Sequence, residues 1–219
     1  MLDAMELTTL TLVVIAANVL GAAMAVPQAR KLLRTRCTDG VSVTWAAISA
    51  TVNAWWGIYG VGIDDYSIVP VSVVSVASYV VITIGVVRFS PTALRAMALP
   101  ATGAVIVVST VPLIALLIDG WFAAGIVLGA LYGVQLSPAV FAVYRTIDVS
   151  GVALATWVIA FVEATLWGVY GFASADAGLV TLATTGLAMS TLVLVRLLLR
   201  RPRRARAGVS IELPGFAPA

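Results

Sequence analysis

The chain has 219 residues, of which 61% are hydrophobic and only 11% charged. A soluble domain carries roughly a quarter charged residues, so this one could not cover a water-facing surface, and the chain reads as a polytopic membrane protein. The single cysteine, Cys37, excludes an internal disulfide, and the absence of histidine removes the commonest metal ligand, general base and near-neutral pH switch; the formal charge of +3 sorts by loop and makes no nucleic-acid surface.

Apolar runs of about the 20 residues needed to cross a bilayer fall near 7–29, 41–63, 67–87, 98–118, 120–143, 151–172 and 178–199. All seven are expected to be helices, because a spanning segment must satisfy its own backbone and the alternation of a barrel strand is absent. The first span follows Asp3 and Glu6, carries Asn18 and ends at Pro27-Gln28. Ala23-Met24-Ala25 looks like a cleavage site, but acidic residues precede the run where a signal peptide is basic, so the segment is read as a retained helix. The second span holds Asn53 and Trp56-Gly57-Ile58-Tyr59-Gly60, and the third holds Ser72, Ser75 and Ser78. The fourth contains Pro100 and Pro112 and little polar chemistry. The fifth carries Gly125, Gly129 and Gly133, read as a close-packing face, and ends near Ser137-Pro138. The sixth contains Glu163 and Trp167-Gly168-Val169-Tyr170-Gly171; the seventh contains Thr181, Thr184 and Thr185.

All 13 basic residues fall at alternate loops, after spans one, three, five and seven, whereas Asp3, Glu6, Asp64, Asp65, Asp119 and Asp176 occupy the opposite side. The positive-inside rule then places the amino terminus outside and the carboxyl terminus in the cytoplasm, which requires an odd number of crossings. The tail 201–219 is basic, then Gly- and Pro-containing, and is expected to be disordered; its arginines either touch anionic headgroups or anchor the topology. The composition points to a bacterial plasma membrane.

Residues repeat at a constant offset of 111: Pro27 and Pro138, Arg34-Thr35 and Arg145-Thr146, Gly40-Val41 and Gly151-Val152, Trp56 and Trp167, Tyr59 and Tyr170. Shared Pro, Arg, Gly, Trp and Tyr mark duplication, where chance in apolar sequence would share Val, Ala and Leu. Each copy is three spans, and two copies in the same orientation need one extra crossing between them. The expected fold is therefore all-α: a first repeat over 1–96, a linker helix over 97–119 and a second, parallel repeat over 120–200, related by an axis along the membrane normal.

Pro27-Gln28 with its basic neighbours, Asp39-Gly40-Val41-Ser42 and Trp56-Gly57-Ile58-Tyr59-Gly60 resemble the PQ-loop superfamily, and within it the SWEET transporters. Ser137-Pro138 in place of Pro-Gln also resembles the second repeat of that group. The resemblance covers about residues 7–199 and implies two three-helix units around a linker helix, a transported small solute and no cofactor. It gives Pro27, Gln28 and Pro138 the role of a gating hinge. The helices have their own reason for that role, since proline removes a hydrogen bond and loosens its turn; a static kink is the other reading. Prolines early in spans two and six, found in plant SWEETs, are absent here, as are the asparagines on spans three and seven that sugar carriers use.

Trp56 and Trp167 suit stacking on a sugar ring or another small organic molecule, and the resemblance puts this motif position in the substrate pocket; an interfacial aromatic belt is the alternative for them and for Tyr59 and Tyr170. Glu163 lies about twelve residues into its span, with no basic residue near it in sequence. A lone carboxylate at that depth costs several kcal/mol, so it should be protonated and satisfied, hydrogen-bonded, or turned to a water-filled cavity. Glu163, Trp167 and Tyr170 share one helix face by spacing. Asn53, Trp56, Glu163 and Trp167 are expected to form the core of a central polar site, with Ser72, Ser75 and Thr184 as further substrate contacts, although such hydroxyls also bond back to their own helix. Asn18 either lines the same cavity or bridges helices.

These features point to a membrane transporter moving a small polar solute, a sugar above all, by alternating access. The alternatives are a proton-coupled carrier of an amino acid or related metabolite using Glu163, and a non-transporting PQ-loop scaffold or receptor. The sole lysine, Lys31, lies in a loop, so a retinal protein is not expected. Without a nucleophile–base pair, a phosphate loop or a metal cluster, no enzyme, metal or cofactor is expected either. The expected partners are the solute and the lipid bilayer; a homo-oligomer is compatible with the sequence.

Overall fold

The computed structural model describes residues 4–36, 38, 43–89, 91–145, 152 and 154–199. Asp3, Cys37, the Asp39-Gly40-Val41-Ser42 motif, Thr146, Gly151 and the tail 201–219 lie outside the described residues, as do the side chains of Glu6, Ala25 and Arg95. Among the described residues there is no strand, and six helices account for the chain: α1 (Ala4–Thr35), α2 (Val43–Gly62), α3 (Val69–Phe89), α4 (Pro91–Arg145), α5 (Leu154–Ala173) and α6 (Ala177–Leu199), with a single 3-10 turn at Tyr66–Ile68 before α3. Five stretches are long and apolar enough to cross a membrane: α1, the turn with α3, α4, α5 and α6. The chain is an integral membrane protein of helical type, since helices leave no backbone group unpaired in lipid.

The fourth and fifth expected spans are two helices that follow one another without a loop in the 55-residue run Pro91–Arg145. The helix breaks at Asp119 (φ −143°, ψ 33°) and Gly120 (φ 62°, ψ −154°), giving a limb over 91–118 and a limb over 121–145. Gly120 takes a backbone conformation that side chains strongly disfavour, and an ideal Cβ there meets nothing within 4 Å, so the glycine answers to conformation and not to space.

Two three-helix bundles result. In the first, α1 and α2 both pack on α3; in the second, α5 and the second limb of α4 pack on α6. The bundles meet through α1 with α5 and α2 with α4. These are equivalent contacts: shifting by 111 turns α1 into the second limb of α4 and α2 into α5.

One junction is solved differently in the two copies. In the first bundle Asn18 ties α1 to the start of α3: its Oδ1 accepts from the Val71 N–H at 2.8 Å and its Nδ2 donates to the Ser67 carbonyl at 3.1 Å. In the second the equivalent residue is Gly129, and the backbones touch directly. An ideal Cβ on Gly129 would lie 2.6 Å from the Leu182 nitrogen and 2.8 Å from the Gly178 oxygen. Thr185 Oγ1 then donates across to the Gly129 carbonyl at 2.8 Å. Small residues permit such close helix approach where no hydrophobic force holds helices together in lipid. Asn18 thus bridges helices and is not part of the cavity wall.

The apolar core divides by depth. At the end bearing Asp64, Asp65, Asp119 and Asp176, one cluster is shared by both bundles, running through Val52, Trp56, Tyr59 and Ile68 to Leu128, Trp167, Leu179 and Leu182. Toward the basic end each bundle keeps its own: Leu32, Val43, Tyr79, Ile82 and Val86 in the first, Val140, Val143, Trp157 and Val193 in the second. At that end Arg36 lies over Phe89, Arg145 over Phe141 and Arg196 over Tyr144, at 5.6–5.9 Å from the ring centres, as snorkelling basic residues do at a membrane interface. The apolar cores of the bundles are joined at the acidic end and separate at the basic end.

Candidate functional site

A cavity of about 50 Å³ lies between the bundles, walled by Asn53 and Trp56 from α2, Val71 and Ser72 from α3, Tyr132 and Gln135 from α4, Glu163 and Trp167 from α5, and Leu182 from α6. A water occupies about 30 Å³ of liquid, and pockets that hold organic ligands start near 300 Å³. The cavity in this conformation therefore has room for water and not for a sugar ring.

α2 and α5 position the aromatic and polar groups. Trp56 and Trp167 are 5% and 3% exposed and belong to the cluster that joins the bundles. Each meets the tyrosine three residues on edge-to-face, at 5.5 Å for Trp56–Tyr59 and 6.3 Å for Trp167–Tyr170. Trp56 Nε1 is buried and has no partner among the described residues. Asn53, one turn earlier on α2, donates one Nδ2–H to the Ser49 carbonyl at 2.8 Å, which leaves its second N–H and its Oδ1 for other partners.

Glu163 is 7% exposed. Tyr132 donates to its Oε2 across a long 3.5 Å, and Trp167 is its other hydrogen-bonding neighbour. Its Oε1 occupies the space beside α1 that a side chain on Gly21 would need: an ideal Cβ there would lie 2.7 Å away. No described basic group acts on this carboxylate. The pseudo-equivalents of Tyr132 and Glu163 are Gly21 and Val52. The two bundles thus contribute unlike chemistry to one place: a small, apolar pair from the first and a hydroxyl and a carboxylate from the second.

Above the tryptophans the bundles are latched to each other. Tyr59 donates to Asp176 Oδ1 at 2.8 Å, and Tyr170 donates to Asp65 Oδ2 at 2.9 Å. The two bonds are mates at the offset of 111. Ser67 Oγ donates to the Tyr170 hydroxyl at 3.1 Å on one side only; its counterpart, Gly178, packs against the Gly125 backbone. The aspartates are held in place by turn geometry, for Asp65 accepts from the Ser67 N–H at 3.0 Å and Asp176 from the Leu179 N–H at 2.9 Å. Trp121, at the start of the second α4 limb, stacks edge-on against Tyr59 at 6.1 Å. Tyr59 and Tyr170 are therefore inter-bundle bonding groups, a role that an interfacial belt does not describe.

Asn53, Trp56, Ser72, Glu163 and Trp167 thus converge on the cavity, whereas Ser75 and Thr184 do not reach its wall. Ser72 Oγ is committed to the Ile68 carbonyl at 3.0 Å. Ser75 is buried one turn further along α3. Thr184 is exposed and donates to the Val180 carbonyl at 2.8 Å. Pro27 and Pro138 are exposed, and Gln28 half-buried, in helices that continue to Thr35 and Arg145. Pro138 cannot bond the Val134 carbonyl four residues back; Ser137 Oγ takes that carbonyl instead, at 2.9 Å.

Tyr132 and Gln135 escaped the sequence reading, because their pseudo-equivalents are Gly21 and Met24 and the repeat carries no signal there. Gln135 is one of only two glutamines in the chain, which was the available clue.

Comparison with protein families and with curated proteins finds no match. Among solved structures the fold is similar to that of a eukaryotic SWEET transporter, with a TM-score of 0.63 and 14% identity, over 87% of this chain and 98% of the other. At that identity the likeness is one of fold: two helical bundles arranged about a shared centre.

Proposed function

We propose that the protein is a transporter that carries a small polar solute through the bilayer by alternating access of the cavity between its two bundles. The observation that carries this reading is the paired latch, Tyr59 to Asp176 and Tyr170 to Asp65, closing one end of a cavity whose other half lies between bundles with separate cores. Bonds that cross the bundle interface are the ones a rocking motion must break, and packed interfaces switch between discrete arrangements. The solute enters when the latch opens and leaves when the basic end parts.

In this reading α4 crosses the membrane twice, seven crossings result, and the acidic, latched end faces outside. The first α4 limb acts as the linker between repeats 1–96 and 120–200. Pro27, Gln28 and Pro138 lie where the basic halves flex. Asn53, Trp56, Glu163 and Trp167 hold the solute beside Ser72, and Ser75 and Thr184 are reached only if the helices move. Sugars are the first class to test, because the motifs and the fold are similar to those of SWEET transporters and two indole faces suit a sugar ring.

The test is uptake of labelled hexoses by purified protein in liposomes. Saturable flux supports the reading. Flux of another polar solute but of no sugar removes the sugar part, and the lack of any flux from a folded protein favours the scaffold alternative.

A further inference from the structure

We infer that the cavity selects a solute bearing a protonated amine, seated against Glu163 and between the two indoles. The inference rests on the proposed transport function and names its substrate class. It follows from which polar groups at the cavity are already used. Of the two hydroxyls that line the cavity, Ser72 is committed to the Ile68 carbonyl and Tyr132 is turned to Glu163. Of the groups left over, the Trp56 Nε1–H donates, and the others offer oxygens that accept. Asn53 spends one of its two N–H on Ser49 and keeps its oxygen for another partner. Gln135, 7% exposed, lines the cavity with a buried Oε1 that has no partner among the described residues. Glu163 adds a carboxylate that meets Trp167, a hydroxyl at 3.5 Å and, further off, Tyr79, with no described basic group acting on it.

An ammonium, with three donors and no acceptor, is the complement of the accepting members of this set. It would match a carboxylate and two amide oxygens, and the faces of Trp56 and Trp167 attract a cation through the ring quadrupole. A lone carboxylate within a membrane also needs a compensating charge. The first bundle supplies Gly21 and Val52 at the equivalent places, so the site has one charged side, and it would orient an amine-bearing solute in one sense. The arrangement is built for this: Gly21 gives Glu163 the room to lie against α1.

Two matched series test the inference on the purified full chain, read by thermal shift and by the fluorescence of the cavity tryptophans. One is glucose, glucosamine and glucuronate; the other is ethylene glycol, ethanolamine and glycolate. The expected result is a response to the cationic member at about tenfold lower concentration than to the neutral one in at least one series. Glu163→Gln should abolish that difference, and Glu163→Asp should keep it, which guards against a Gln variant that fails to fold. Equal response to neutral and cationic members, preference for the anion, a preference retained in folded Glu163→Gln, or no response in either series would overturn it. Flux of neutral solutes without charge preference removes this inference and leaves alternating access standing; loss of all flux removes both.

Discussion

Replacing Tyr59 or Tyr170 by Phe keeps each ring in its packing and deletes one hydroxyl. The hydroxyls donate to carboxylates at 2.8 and 2.9 Å, and a hydrogen bond to a charged group contributes about 1.5–3 kcal/mol. Asp65 and Asp176 are half-buried, so each latch is discounted to about 1–2 kcal/mol for exposure to water. The loss falls on the closed state alone, since an open latch has no such bond. Each Phe variant should then raise the population open at the acidic end about 5- to 30-fold, and the double variant should raise it further, as 1.4 kcal/mol is a factor of ten. The assay is thiol labelling at the cavity wall. Ser72→Cys in a Cys37→Ser background is exposed to a membrane-impermeant reagent added at the acidic face. Tyr59→Phe and Tyr170→Phe should each speed labelling, and the double variant most of all. A double variant that labels at the parental rate would refute the assignment of this pair as the closure. Tyr→Phe is the cleaner change, because Asp→Asn also disturbs the caps at Ser67 and Leu179.

Gly129→Ala should lower the melting temperature in detergent by the equivalent of about 1–3 kcal/mol, because the new Cβ meets backbone of Leu182 and Gly178. Gly103→Ala, where nothing lies within 4 Å, should be neutral or slightly stabilising; equal effects at the two sites would remove the close-packing argument. Asn18→Ala should destabilise by about 1–3 kcal/mol by leaving the Val71 N–H and the Ser67 carbonyl unpaired; thermal melting measures it, and an unchanged melt would show the bridge to be dispensable. Gly21→Ala should displace the Glu163 side chain and press on Val71, since the added Cβ meets Glu163 Oε1 and Val71 Cγ2 alike at 2.7 Å, so ligand response should change together with stability. A large fall in melting temperature with unchanged ligand response would contradict that placement.

The duplication made much of this architecture legible. An offset of 111 carries Pro, Trp and Tyr from one bundle to the other, and the structure turns the Tyr pair into two symmetric bonds. The aspartates at their far ends, also 111 apart, were visible only as topological charges, because a latch between bundles is a tertiary fact that neither copy records by itself. The cavity's polar wall was legible where unusual residues stand out, at Asn53 and Glu163. It was hidden at Tyr132 and Gln135, where the second copy departs from the first. Hydroxyl residues misled in the other direction. Thr184 has the right chemistry on a helix that does reach the cavity, but its face is turned away and its proton is given to Val180. Sequence spacing does not fix the rotation of a helix that is apolar on every side, which is also why Asn18 could be read two ways. The break between the two α4 limbs was legible, because Asp119-Gly120 reads as the boundary between spans and the backbone leaves helical geometry at those two residues.

The central claim is that the two bundles move against each other to expose one cavity alternately. The most direct measurement is solute counterflow by purified Tyr59→Cys/Asp176→Cys protein in liposomes, in the Cys37→Ser background, before and after closure with a short reducible thiol cross-linker. Flux that stops on cross-linking and returns on reduction is the predicted result. Flux that continues unchanged while the latch is covalently held would contradict the account.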